Sequence, residues 1–210
     1  MKSIFMEKKK IIIAVIIVIV IIIAIISVKF SKSTYKISNI GNNTDINLDD
    51  VDKYIYSINS YEAKIEVEVN SNKNSNKYII KQTHMPNEDI QEIIEPNNIN
   101  GIKMIYKDNK LEIKNAKLNI TKMYNNYPYI VSNNLWLNSF IEEYKISNSK
   151  KVDEENNEII ITITCEKNVQ NVKYKKLYID KNNGKPSKML LLDNSKNTII
   201  YILYNEITLN

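Results

Sequence analysis

The residues of this chain whose types could do chemistry are few: Gly184-Lys185 within YIDKNNGKPSKML, the single histidine His84, the single cysteine Cys165, and the acid pairs Asp49-Asp50, Glu142-Glu143 and Glu154-Glu155. A glycine followed by lysine could belong to a phosphate-cradling loop. Such a loop must run from a strand into a helix, so that backbone amides and the helix amino terminus converge on the anion. Gly184 instead separates two strand-like runs, and KNNGKP has the composition of a hairpin. Asn183 and Gly184 tolerate positive φ there, and Pro186 keeps its nitrogen out of the ladder near the strand start. The expected feature is a corner of a sheet and not a nucleotide site.

One histidine and one cysteine in separate strands supply neither a Cys-His pair with local support nor the three or four ligands of a zinc site. Cys165 closes the apolar run EIIITITC and is read as a strand position. It has no second cysteine for an intramolecular disulfide. His84, beside Met85-Pro86, is read as structural, at a turn edge or half-buried. The acid pairs fall on a helix start, a helix surface and a loop, where solvated faces are expected. DNSKN at 193–197 lacks the central glycine and terminal glutamate of a calcium loop. No catalytic residue, metal site or cofactor is expected, and the chain is read as not an enzyme.

What remains is apolar. In NNLWLNSFIEEYKI, residues 133–146, Trp136, Phe140 and Tyr144 recur at four-residue spacing with Leu137 and Ile141 beside them, which predicts a helix with a broad aromatic stripe. In YEAKIEVEV, residues 61–69, Ile65 and Val67 lie on the apolar face of a strictly alternating strand. Trp136, Phe140, Tyr144, Ile65 and Val67 are the candidate lining of an apolar groove. Core packing is the competing reading, and the two overlap where a helix acts as lid over a curled sheet.

The elements that position these residues follow from periodicity. Leu48, Val51, Ile55 and Ile58 predict an amphipathic helix over 48–59. Strands are expected at 61–69, 77–84, 89–94, 102–106, 111–113 and 118–121, and after the aromatic helix at 158–165, 172–180, 187–192 and 198–209, with turn residues in the breaks. The expected fold is mainly β: about ten short strands forming an unclosed antiparallel barrel or curled sheet, with helices on its concave face.

Composition restricts the partners. The formal net charge of +5 is concentrated at the amino terminus. Residues 30–210 hold 24 lysines against 23 acids, and the chain has no arginine. A nucleic-acid partner is excluded on that balance. Residues 11–28, IIIAVIIVIVIIIAIISV, are uncharged and flanked by lysine. As a helix they would span about 27 Å, close to the hydrocarbon thickness of a bilayer. The run is too long for the middle of a cleaved signal peptide, and SVKFSKS offers no A-x-A-like site. We therefore expect a cytoplasmic basic tail at 1–10, a transmembrane anchor at 11–28 that makes the membrane itself a partner, a linker at 29–47 and an exported domain at 48–210. The protein is then a single-pass membrane protein with its amino terminus cytoplasmic.

The turn motifs carry a resemblance. LYIDKNNGKPSKMLLLDNSKNTIIYILYNEITLN, residues 177–210, resembles the closing hairpins of the LolA-like lipoprotein-carrier family, with its "iD..tG.P.kl" segment and final "i.f..i..N" strand. SYEAKIEVEV and HMPNEDIQEIIEPNNINGIKMIYKDNKLEI resemble its amino half, so the likeness covers roughly 48–210. It implies an unclosed β-barrel whose concave face can take lipid acyl chains. It is also similar to GerS-like germination lipoproteins of low-GC Gram-positive spore formers. That likeness implies a forespore or spore membrane location and a CwlD-like cell-wall amidase as partner, acting on cortex peptidoglycan. The chain departs from those relatives in having no lipobox cysteine; the expected membrane helix takes its place.

Overall fold

The structure is a computed structural model and describes residues 48–70, 74–127, 134–166 and 171–210. The tail, anchor and linker expected over 1–47 lie outside the described residues. Among the described residues no helix is long and apolar enough to cross a membrane.

Helix α1 spans Leu48–Ser57, with Asp49 and Asp50 in the first turn, where carboxylates favour the positive end of the helix dipole. Its face of Val51, Tyr54 and Ile55, continued by Ile58, is buried. Helix α2 spans Leu137–Ile146 and buries Leu137, Ser139, Phe140, Ile141 and Tyr144.

Eleven strands form one antiparallel sheet: β1 Tyr61–Asn70, β2 Ser75–Met85, β3 Glu88–Glu95, β4 Ile102–Lys107, β5 Lys110–Asn115, β6 Ile120–Asn125, β7 Lys150–Glu155, β8 Glu158–Thr164, β9 Tyr174–Asp180, β10 Lys185–Leu192 and β11 Thr198–Leu209. Their order is β6-β5-β4-β3-β2-β1-β11-β10-β9-β8-β7, so among the described residues β6 and β7 are unpaired edges and the sheet does not close. The first meander runs outward from β1 to the β6 edge, and the second starts at the β7 edge and runs inward until β11 pairs with β1.

Strand alternation decides which face is buried. Tyr61, Ala63, Ile65 and Val67 point into the core. Val67 begins a row that crosses the sheet through Ile202, Met189, Leu177 and Ile161 to Val152. All but Val152 are fully buried. Each such side chain contributes about 1.5–3 kcal/mol relative to an exposed one. Two-residue hairpins tighten the ends: Asp108 and Asn109 join β4 to β5 with φ of 50° and 58°, and Asn156 and Asn157 join β7 to β8 with φ of 49° and 65°. Positive φ at both central positions gives the twist that such hairpins need.

Two expectations are corrected. The strand expected at 118–121 is β6 at 120–125, because Asn119 adopts φ 51° and places Leu118 in the turn. Glu154 and Glu155, expected in a loop, belong to β7, a strand absent from the expected set. KKVDEE carries charge on both faces and one apolar residue, so no alternation marks it; Lys151 pairs with Asp153 at 2.7 Å. An edge strand dressed in charge resists pairing with other chains.

Candidate functional site

The five residues expected to line a groove are brought together. Trp136, Phe140, Tyr144, Ile65 and Val67 belong to one buried cluster, each at 0% exposure. Trp136 is the residue before α2, and the first helical amide, that of Leu137, donates to the Tyr61 hydroxyl at 3.1 Å. A core tyrosine of β1 thereby satisfies an orphan amide that a Ser or Asp cap would ordinarily take. The Tyr144 hydroxyl donates to Asp52 Oδ1 at 2.5 Å, tying α2 to α1. Burial, and then that carboxylate, push the Tyr144 phenol above its usual range. Phe140 stacks on Tyr144 at 6.1 Å, Tyr56 meets it edge-on at 6.0 Å, and the Lys150 ammonium lies 4.2 Å from the Tyr144 ring centre. The stripe is held from four sides.

Gly184 is a hairpin corner. It has φ +68°, its amide donates to the Asp180 carbonyl at 2.7 Å, and Lys185 opens β10. The Asp180 carboxylate accepts from the Asn182 amide and the Asn183 side chain. The Tyr54 hydroxyl donates to the Gly184 carbonyl at 2.8 Å, so this corner docks α1. Asp193 closes the next hairpin by accepting from the Ser195 and Asn197 amides.

Two polar groups inside the core escaped the sequence. On β2 and β3, His84 Nδ1 lies 2.5 Å from Asp89 Oδ1, both buried, with the Tyr61 ring at 5.3 Å and Trp136 at 6.4 Å. Beside them Gln82 Nε2 donates to Gln91 Oε1 at 3.1 Å. His84 is thus a buried structural residue beside the β2–β3 turn. It faces no nucleophile from β8, because β1, β11, β10 and β9 stand between the strands that carry His84 and precede Cys165.

The second group centres on Lys175 of β9, at 0% exposure. It points between Ile163 and Leu191, its partners on the neighbouring strands, both fully buried. Its ammonium donates to Ser139 Oγ at 2.7 Å and approaches the Ser139 carbonyl at 3.4 Å. Burial lowers the Lys175 pKa, and Glu143 opposes this at longer range. Glu143 is half-buried, and its Oε2 has no hydrogen-bond partner among the described residues. Burial pushes the Cys165 thiol up to about 11, leaving it protonated near neutrality.

A hydroxyl beside an amine of depressed basicity is a nucleophile–base pair in chemical type. Here both groups are sealed in the core, and Ser139-Lys175 acts as a clamp of α2 on β9. Two surface depressions lie elsewhere. One is lined by Asn171, Lys173, Asp193, Asn194 and Ser195, the other by Glu62, Lys64, Lys81, Thr83, Glu206 and Thr208 among others. Among the described residues no group of three or more His, Cys, Asp or Glu is placed to hold a metal.

No family model and no curated protein matches the chain. Solved structures do. The chain is similar to the structure of the CwlD amidase from Clostridioides difficile in complex with the GerS lipoprotein, at 24% identity over 76% of this chain and 91% of that one, with TM-score 0.49. It is similar to an uncharacterised conserved protein from Thermus thermophilus, at 12% identity over 78% and 85%, with TM-score 0.49. A LolA superfamily protein from Nitrosomonas europaea matches at 10% identity over 76% and 90%, with TM-score 0.40. The solved structures to which this unclosed antiparallel sheet is similar thus include both of the types, LolA-like and GerS, that its turn motifs resemble.

Proposed function

We propose that this chain is a membrane-anchored, non-catalytic binding protein of the spore envelope that supports a cell-wall amidase, in the manner of GerS. The observation that supports this reading is that the apolar stripe is filled. Trp136, Phe140 and Tyr144, the candidate groove lining, are packed at 0% exposure. A filled face leaves the outer surface and the sheet edges as the parts able to engage another molecule. The partner class comes from the turn-motif resemblance to GerS-like proteins; GerS is the lipoprotein in complex with CwlD in the C. difficile structure. An anchor at 11–28 in place of a lipid would hold the domain outside the cytoplasmic membrane, where such an enzyme works.

Lipid binding is the second reading, favoured by one observation. Beyond the helices, Met104, Tyr106, Ile113 and Tyr124 at the β4–β6 end of the sheet are only partly buried. One purification separates the two readings. The full chain, solubilised from sporulating cells and isolated by an affinity tag, is expected to bring a peptidoglycan amidase in near-equal amount. An acyl lipid retained at one per chain, with no amidase, is the result that favours carriage and overturns support.

A further inference from the structure

We infer that the β6 edge is the docking site, and that it takes an extended segment of the protein partner that carries both acidic and apolar residues and adds to the sheet as a twelfth strand. This rests on the reading of the chain as a binding protein and names the surface used.

The two edges differ in chemistry. Four of the seven large hydrophobic side chains exposed among the described residues fall within 118–127: Leu118 at 65%, Ile120 at 54%, Met123 at 57% and Tyr127 at 37%. None of the seven lies on β7. Open backbone donors and acceptors beside exposed apolar side chains are the features that strand addition uses, and that edges not meant to pair suppress with charge.

The placement of the apolar residues selects a strand over a flat partner. Successive residues of a strand point to opposite faces, so Ile120 shares one face with Lys122 and Tyr124 while Met123 lies on the other with Thr121. A bilayer surface or a flat protein face can cover one of these sets. A strand laid along β6 brings side chains beside both and satisfies the open backbone as well.

Charge sets the composition of that strand. Residues 48–210 hold 22 lysines and 22 acids, yet the segment 102–127 holds six lysines against Asp108 and Glu112. The positive excess is therefore gathered at this end of a sheet that is otherwise net acidic. Lys114 is paired with Glu112 at 2.8 Å and Lys107 with Glu88 at 3.8 Å. Exposed Lys122, on β6 itself, lies 5.0 Å from the Tyr124 ring centre, and Lys110 at the start of β5 is exposed. Acidic side chains on an incoming strand would be attracted to these ammonium groups, which speeds encounter and fixes register.

The test places the photocrosslinker p-benzoylphenylalanine, one site at a time, at Thr121 on β6, Lys151 on β7 and Lys64 near the sheet centre, in the full chain in sporulating cells. The expected result is a protein adduct from position 121 and none from 151 or 64. Sequencing should map that adduct to an extended segment that carries both acidic and apolar residues. Lys110→Glu combined with Lys122→Glu, both solvent-exposed and outside the core, should lower the adduct yield roughly tenfold. A lipid adduct from 121, an adduct on a helical or basic segment, or a yield unmoved by the charge reversal overturns the assignment. Protein adducts from 151 or 64 alone would overturn the edge while leaving the binding reading in place. An absence of protein adducts at all three sites would remove both.

Discussion

Replacing Trp136 by alanine is expected to cost about 3–5 kcal/mol of stability, as removal of a large buried aromatic does. Trp136 is fully buried, and its ring lies 6.3 Å from Tyr61 and 6.4 Å from His84, two residues that the rest of the core positions. It is also the residue from which α2 departs. Its loss therefore leaves a cavity at the point where helix and sheet are joined by the Leu137–Tyr61 hydrogen bond. The surroundings are poorly able to collapse into that space, because Tyr61 is held by the helix and His84 by Asp89. For a domain of this size the midpoint of thermal unfolding should fall by roughly 10 °C. Trp136 is the only tryptophan, so the variant must be followed by far-ultraviolet circular dichroism and not by indole emission. A shift of only a degree or two would show that Trp136 is dispensable to the core and belongs to a compliant lid.

Lys175→Met should act in the opposite direction and raise stability, by at most about the 1–4 kcal/mol seen when whole buried ion pairs give way to apolar groups of similar volume. Met fits the space between Ile163 and Leu191 without asking for hydrogen bonds. The effect should depend on pH with a definite sign. Burial lowers the pKa of Lys175 in the folded protein, whereas the unfolded chain keeps the ordinary lysine value near ~10.4. Between the two values the unfolded chain binds a proton that the folded chain lacks. The wild type therefore gains stability as pH rises through that window. Below both values the penalty is present in full. The advantage of Lys175→Met should thus be greatest at pH below the lowered folded-state value and shrink as pH rises from there toward the ordinary lysine value. Denaturant midpoints of both proteins, measured as a function of pH, check this. A destabilised variant would show that the ammonium–Ser139 contact outweighs the cost of burying the charge.

How much of this was legible in the sequence depends on whether one face of an element is apolar and the other polar. β1 could be read residue by residue, because YEAKIEVEV alternates without a break and its register fixes the row through Val67. The Gly184 corner was legible from Asn-Gly chemistry, and the aromatic stripe from four-residue spacing. β7 was not, since KKVDEE is solvated on both faces and only the Asn156-Asn157 turn hinted at a hairpin. Lys175 was hidden for a related reason. In YKKLYID two lysines adjoin, and only the phase set by Leu177 and Ile179 shows which of them turns inward. The His84–Asp89 and Gln82–Gln91 pairs were illegible because both faces of QTHMPNED carry polar residues. Their partnership depends on the β2–β3 register, which Met85↔Glu88 fixes across the turn.

The partnership with an amidase is the central claim, and muropeptide analysis of spores that lack this protein tests it most directly. If the chain supports a cortex amidase, those spores should contain little or none of the muramic lactam that the amidase's action leads to, and they should germinate poorly. Restoring the full chain should restore the modification. A normal muramic lactam content in the deletion strain would contradict the account and leave lipid binding as the better one.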